Sequence, residues 1–173
     1  MATFEADYYF DSEKCTQHIN GKKIAFHCNH YSRLYTQLAC DANELFSGKQ
    51  LLADSAEEVF YSLLTSYESE HPEIMTPEHR EAIAKQYFAF SGMGMMEGDF
   101  DSAEVSLVYS HIDEAWKKEW GENDTPVNFI AKGYLAAAFA FVYQTPPHSF
   151  VAEELSGIVQ GAEKSIFSIK KCS

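Results

Sequence analysis

The sequence predicts an α+β fold: N-terminal helices, then a four-stranded antiparallel sheet in ββαββ order, with helices packed on one face. Three observations predict it. Apolar residues recur at helical spacing from Tyr31 to Phe90, and the period then changes to two over residues 103–109 and again after Ser149. Between the two alternating regions, residues 127–141 are almost wholly apolar, as a buried helix requires. Helices, two strands, helices and two strands is an order that suits an antiparallel sheet with one covered face.

The elements follow in chain order. Residues 1–26 mix Phe4, Tyr8, Tyr9 and Phe10 with acids and turn at Asn20-Gly21, which suits a β-hairpin or a loose arm. Tyr31, Leu34, Tyr35, Leu38, Ala42 and Leu45 fall on one stripe of a helix over 30–46, with Asn29 as N-cap and Gly48 as stop. Ser55-Ala56-Glu57-Glu58 reads as a capping box, and Ala56, Val59, Phe60, Leu63, Leu64 and Tyr67 carry a second helix toward Pro72. Thr76-Pro77 supplies a cap and a first-turn proline for a third helix over Ile83, Tyr87 and Phe90.

A turn over 98–102 joins strands over 93–98 and 103–110, and the glycines of Gly92-Met93-Gly94 allow a bulged or closely approached strand. Residues 111–120 form a short helix, with Asp113 and Glu114 early and Lys117 and Lys118 late, the order its dipole favours. Thr125-Pro126 opens the apolar helix, whose only charge is Lys132, and Pro146-Pro147 ends it. Residues 149–158 and 165–170 close the chain as a hairpin around Gly161.

Composition narrows the function classes. The 173 residues carry 13 Lys and Arg against 26 Asp and Glu, a net charge of −13. Such a surface repels nucleic acid and anionic membranes, because both are bound through basic side chains. No apolar run approaches the roughly 20 residues that span a bilayer, so membrane insertion is not expected. The early acids of residues 1–7 do not read as a signal peptide. Cys15, Cys28, Cys40 and Cys172 are irregularly spaced, so free thiols in a reducing cytoplasm are expected.

Few motifs point to chemistry. Phe26-His27-Cys28-Asn29-His30-Tyr31 places two imidazoles and a thiol within four residues at a helix start. His27 and His30, with Cys28 or a folded-back Cys15-x-x-His18, could bind a metal; equally, the histidines could cap the helix. Glu153-Glu154 interrupts an apolar strand, so one carboxylate points inward as a candidate acid, base or polar anchor. Trp116, Trp120, Phe129, Tyr134, Phe139, Phe141 and Tyr143 crowd one third of the chain beside small alanines, as core or as walls of an apolar ligand site. No Gly-x-Ser-x-Gly elbow, Walker lysine or Cys-x-x-Cys pair supports nucleophilic or nucleotide chemistry.

The second half resembles the 4-vinyl-reductase domain family over residues 76–171. The resemblance rests on Gly92-x-Gly94, residues 105–111, Trp116, Pro126-x-Asn128-Phe129-x-x-x-Gly133-Tyr134, Glu154 and Gly161-x-x-x-Ser165-x-Phe167-x-Ile169. That family is related to the aromatic-sensing domains of phenol- and xylene-responsive regulators and, more distantly, to TRAPP trafficking subunits. The resemblance implies a homodimer and a pocket for hydrocarbon, aromatic or tetrapyrrole-like ligands between helices and sheet. In the sensor relatives a structural zinc is held by a cysteine after the Pro-x motif and by a Glu-x2-Cys-x7-Cys run. The matching positions here are Asn128, Glu154, Gly157 and Ser165, without a thiolate, so no zinc is expected there. The family name carries a link to chlorophyll biosynthesis, yet the sequence shows no hydride-donor site and reductase activity does not follow.

The resulting expectation is one globular unit, with residues 1–75 as arm and two helices and 76–173 as the ligand-binding region. It is a non-catalytic sensor, carrier or assembly accessory, with His27, His30 and Glu154 as polar contacts and Tyr31, Trp116, Phe129 and Tyr134 as walls. A bound tetrapyrrole would take a histidine as its axial ligand. The alternatives are a metal-dependent enzyme built on His27 and His30, or a protein adaptor.

Overall fold

Asn20 and Gly21 both take positive φ, 47° and 70°, and make the two-residue turn that joins strands twisting together. In this computed structural model, which describes residues 2–74 and 76–172, the arm is a three-stranded antiparallel sheet. Its strands are β1 (Tyr8–Asp11), β2 (Thr16–Ile19) and β3 (Lys22–Ile24). Phe4 anchors it to the body by packing on the rings of Tyr67, Tyr87 and Phe90 at 4.9–5.1 Å.

The helices that follow are α1 (Asn29–Asp41), α2 (Asn43–Phe46), α3 (Gly48–Glu70) and α4 (Pro77–Phe90). Three local expectations change here. The N-cap of α1 is Cys28, not Asn29. The helix expected over 30–46 breaks at Ala42 into α1 and α2, and Gly48, which follows Ser47 at φ 55°, starts α3 instead of acting as a stop. Gly48 is small because a Cβ there would come within 2.6 Å of the Ala39 carbonyl. The Ser55 capping box lies inside the continuous α3, since a local cap signal yields to a helix already nucleated upstream. At α4 the expectation holds, with Thr76 Oγ1 accepting from the His79 N–H at 3.3 Å.

Strands β4 (Gly94–Asp99), β5 (Glu104–Ser110), β6 (Phe150–Ser156) and β7 (Ser165–Lys171) form an antiparallel sheet in the order β4-β5-β7-β6. Gly94 has φ 145°, a Cβ there would strike the Tyr109 carbonyl, and the register shifts between Met95 and Met96. Helices α5 (His111–Trp120) and α6 (Phe129–Val142) lie between the two strand pairs in sequence. α6 packs along α3 on one side and against β6 on the other. The main core joins Leu64, Phe88, Val105, Leu107, Tyr134, Phe139, Phe141 and Phe167. Among the described residues no helix is long and apolar enough to cross a membrane.

The α1 stripe reverses its expected orientation. Thr36 and Ala39 are its buried residues, whereas Tyr31, Leu34, Tyr35 and Leu38 face outward, and Leu45 beyond them is 83% exposed.

Candidate functional site

Ser110 ends β5 and caps α5, its Oγ accepting from the Asp113 N–H at 3.1 Å and donating to Asn128 Oδ1 at 2.6 Å. Asn128 is the N-cap residue of α6 and wholly buried. Its side-chain amide donates to Asp113 Oδ2 at 2.8 Å and to Glu154 Oε1 at 2.7 Å, and its backbone N–H donates to Glu154 Oε2 at 3.1 Å. Ser165 Oγ donates to Asp113 Oδ2 at 2.9 Å and accepts from the Ile158 N–H at the same distance. Asp113 Oδ1 accepts from the Val159 N–H at 3.1 Å. One network thus ties β5, α5, α6, β6 and β7 together.

Two carboxylates in this enclosure raise its electrostatic cost. Burial, reinforced by the Asp113 charge, pushes the Glu154 carboxyl up to about 7, although the Asn128 donors pull the other way. Glu153, its neighbour, points outward and pairs with Lys170 at 3.2 Å. Sequence reasoning left open which of Glu153 and Glu154 points inward, named Glu154 through the resemblance, and read Asp113 only as a helix-dipole residue. The Ser110-x-x-Asp113 capping pattern was the signal available.

Asn128, Glu154 and Ser165, three of the positions that resemblance aligns with zinc ligands, do converge, and a Cβ at Gly157 would lie 3.1 Å from Glu154 Oε1. The side chains present do not fit a thiolate-held zinc. The Asn128 amide presents N–H donors where a ligand lone pair is needed, and the thiols of Cys15, Cys28 and Cys172 are exposed elsewhere.

The other candidate residues are dispersed. His27, His30 and Tyr31 are exposed at the start of α1, with the His27 ring 5.6 Å from Tyr31 and 6.0 Å from Tyr35. Cys28 is exposed beside them. Trp116 packs with Ile112, Val127 and Val159 in a separate cluster. The Phe129 ring lies under Lys49 at 5.6 Å. Tyr134 is buried between Phe60 and Phe88, its hydroxyl donating to the Ala84 carbonyl at 2.5 Å. Two open cavities lie among the described residues, and none of the seven lines either of them. One, of about 280 Å³, is an apolar groove walled by Tyr35, Leu38, Phe46, Leu51 and Leu52. The other, of about 200 Å³, lies between α3, α6 and β6.

No family model matches the sequence, and no curated protein matches it either. Solved structures do. The phenol-responsive sensory domain of the transcription activator PoxR, solved with phenol, superposes with a TM-score of 0.68 at 9% identity, covering 95% of this chain and 84% of that one. A vinyl-4-reductase family protein from Methanocaldococcus jannaschii superposes with a TM-score of 0.57 at 17% identity, covering 87% and 85%. The chain has the fold of these aromatic-sensor and vinyl-4-reductase domains. Within this vinyl-4-reductase-like fold, the polar network closes the end of the layer where α6 meets the β6–β7 hairpin.

Proposed function

We propose that this vinyl-4-reductase-like chain is a non-catalytic small-molecule-binding domain, acting as sensor, carrier or biosynthetic accessory. Its ligand is an apolar or single-ring aromatic molecule held in the groove between α1, α2 and α3. The outward apolar stripe of α1 carries this reading, because a helix that turns its apolar side from its own core needs another apolar partner. Tyr35, Leu38, Phe46 and Leu51 make the walls, and His27 and Tyr31 flank them through Tyr35. A volume of about 280 Å³ suits one ring or a short hydrocarbon better than a tetrapyrrole. The structural neighbour solved with phenol supports the same ligand class.

The rest of the exposed stripe, Tyr31, Leu34 and Leu45, suits a second copy of the chain, so the domain works as a homodimer. The test is native mass spectrometry of the purified protein, followed by titration with phenol and with the neutral probe N-phenyl-1-naphthylamine. A co-purifying mass, or saturable binding that Leu51→Glu abolishes, is the expected result. Neither probe binding, with no co-purifying mass, overturns the ligand reading and leaves the adaptor.

A further inference from the structure

Asp54 and Glu57 stand three residues apart on α3, on one helical face. Gly133 of α6 lets the two helices meet there, since a Cβ at 133 would strike the Ala53 carbonyl and come within 2.9 Å of the Glu57 nitrogen. That approach leaves Glu57 only 4% exposed, an acid on a helix otherwise able to keep its carboxylates in water. The loop after α6 then delivers His148 to the same place. Its backbone N–H donates to Glu57 Oε1 at 2.6 Å, and its ring Nδ1 lies 3.1 Å from Glu57 Oε2.

The ligand atoms of Asp54, Glu57 and His148 all lie within 4.8 Å of one another, the only group of three or more His, Cys, Asp or Glu so arranged among the described residues. They line the cavity of about 200 Å³ between α3, α6 and β6, and Cys172 lines it as well. The Cys172 N–H donates to the Ser149 carbonyl at 2.8 Å, which holds the C-terminal end beside the His148 loop.

We propose that this cavity binds a divalent transition-metal ion, zinc by the chemistry of its donors, through Asp54, Glu57 and His148. Zinc–ligand bonds of about 2.0–2.1 Å put neighbouring ligand atoms about 3.4 Å apart in a tetrahedron. The Glu57–His148 separation of 3.1 Å is already close to that edge, and Asp54 closes the remainder by rotating its side chain away from the Gln50 amide, now 2.7 Å off. An imidazole with two carboxylates selects against magnesium and calcium, which take oxygen ligands. Three protein ligands leave a fourth position for the Cys172 thiolate or for water. Lys132 also lines the cavity, and Glu58 stands 3.8 Å from His148 Nε2, so the local charge includes one cation and a third acid. This site is separate from the apolar groove and from the Asn128 network, and it stands or falls independently of the proposed ligand.

The competing account is that Glu57 and His148 form an ion pair only. Zinc and cobalt binding to the full chain at pH 7.5, after treatment with a chelator, separates the two. One zinc per chain is expected, weakened at least tenfold by Asp54→Asn and by His148→Ala and unchanged in a His27→Ala/His30→Ala variant. The Asp54→Asn change is nearly isosteric at a partly exposed position, and circular dichroism checks that the fold is kept. Bound cobalt is expected to give tetrahedral visible bands; a sulfur charge-transfer band lost in Cys172→Ser assigns the fourth ligand to the thiol, and its absence assigns it to water. Stoichiometric zinc lost only in the His27→Ala/His30→Ala variant, or no retained zinc at all, overturns the proposal.

Discussion

Glu154 of β6 accepts from both the backbone N–H and the side-chain amide of Asn128, at 3.1 and 2.7 Å, so a strand carboxylate caps the helix that follows a distant loop. Asp113 takes a second hydrogen bond from the same amide group. Two acids therefore share one amide inside the protein, and one of them titrates near neutrality.

Stability should fall as pH rises through the range in which Glu154 ionises. The folded carboxyl titrates at about 7 against 4.5 for the ordinary group, so between those values the folded state holds more protons than the unfolded state. Its contribution is destabilising above that window and absent below it, by at most about 3 kcal/mol. Urea unfolding at pH 5.5 and 8.5 should show a wild-type loss that Glu154→Gln largely removes. An equal pH response in both proteins would refute the assignment.

Asn128→Ala should cost about 3 kcal/mol or more, because it strips a donor from the buried Asp113 and the partly buried Glu154 at once. Thermal and chemical unfolding would measure it. A loss below about 1 kcal/mol would mean that the network is held by its backbone donors alone.

Placing thiolates at the converging positions should create a metal site. Asn128→Cys, Gly157→Cys and Ser165→Cys together place three sulfurs around Glu154. This variant is expected to bind zinc and to be less stable than the wild type without it, because Asp113 loses two partners. Metal analysis and unfolding with and without a chelator give the answer.

Leu34→Glu should shift the assembly state and leave the monomer's fold intact, since the side chain already faces outward. Sedimentation at several concentrations is the measurement. A dimer of unchanged strength would place the interface elsewhere.

Gly133→Ala should destabilise by about 1–3 kcal/mol through overpacking, because the methyl group meets backbone rather than a movable side chain. Calorimetry would show it as a lowered melting temperature.

Periodicity and turn chemistry were enough to read β4 to β7, α4, α5 and α6, because those signals are local and agree with the tertiary fold. Two of the readings that went astray show where local and tertiary demands diverge. The stripe rule assumes that an apolar face meets the chain's own core, and α1 instead buries Thr36 and Ala39. The glycine at 48 is a close-contact residue and not a stop, because what it avoids is Ala39 nine positions earlier. Among site residues, the Glu153-Glu154 pair was conspicuous as charge inside an alternating strand, but the pattern alone did not decide which of the two turns inward. Asp113 was not, since its partners lie 15 to 52 residues away. Asp54, Glu57 and His148 meet across 91 residues, and no spacing rule joins a helix face to a loop that distant.

Tyr134 carries a further consequence for α6. A helix in which nine of fourteen residues are alanine, phenylalanine or leucine offers many rotations and slides that bury nearly the same area, so apolar contact alone selects among them poorly. The Tyr134 hydroxyl, with one acceptor at Ala84 in α4, is satisfied in only one of them, and the Asn128 cap fixes the starting end. Removing that oxygen with Tyr134→Phe would blur the native state more than weaken it, with α6 resonances broadened by exchange among near-equal packings.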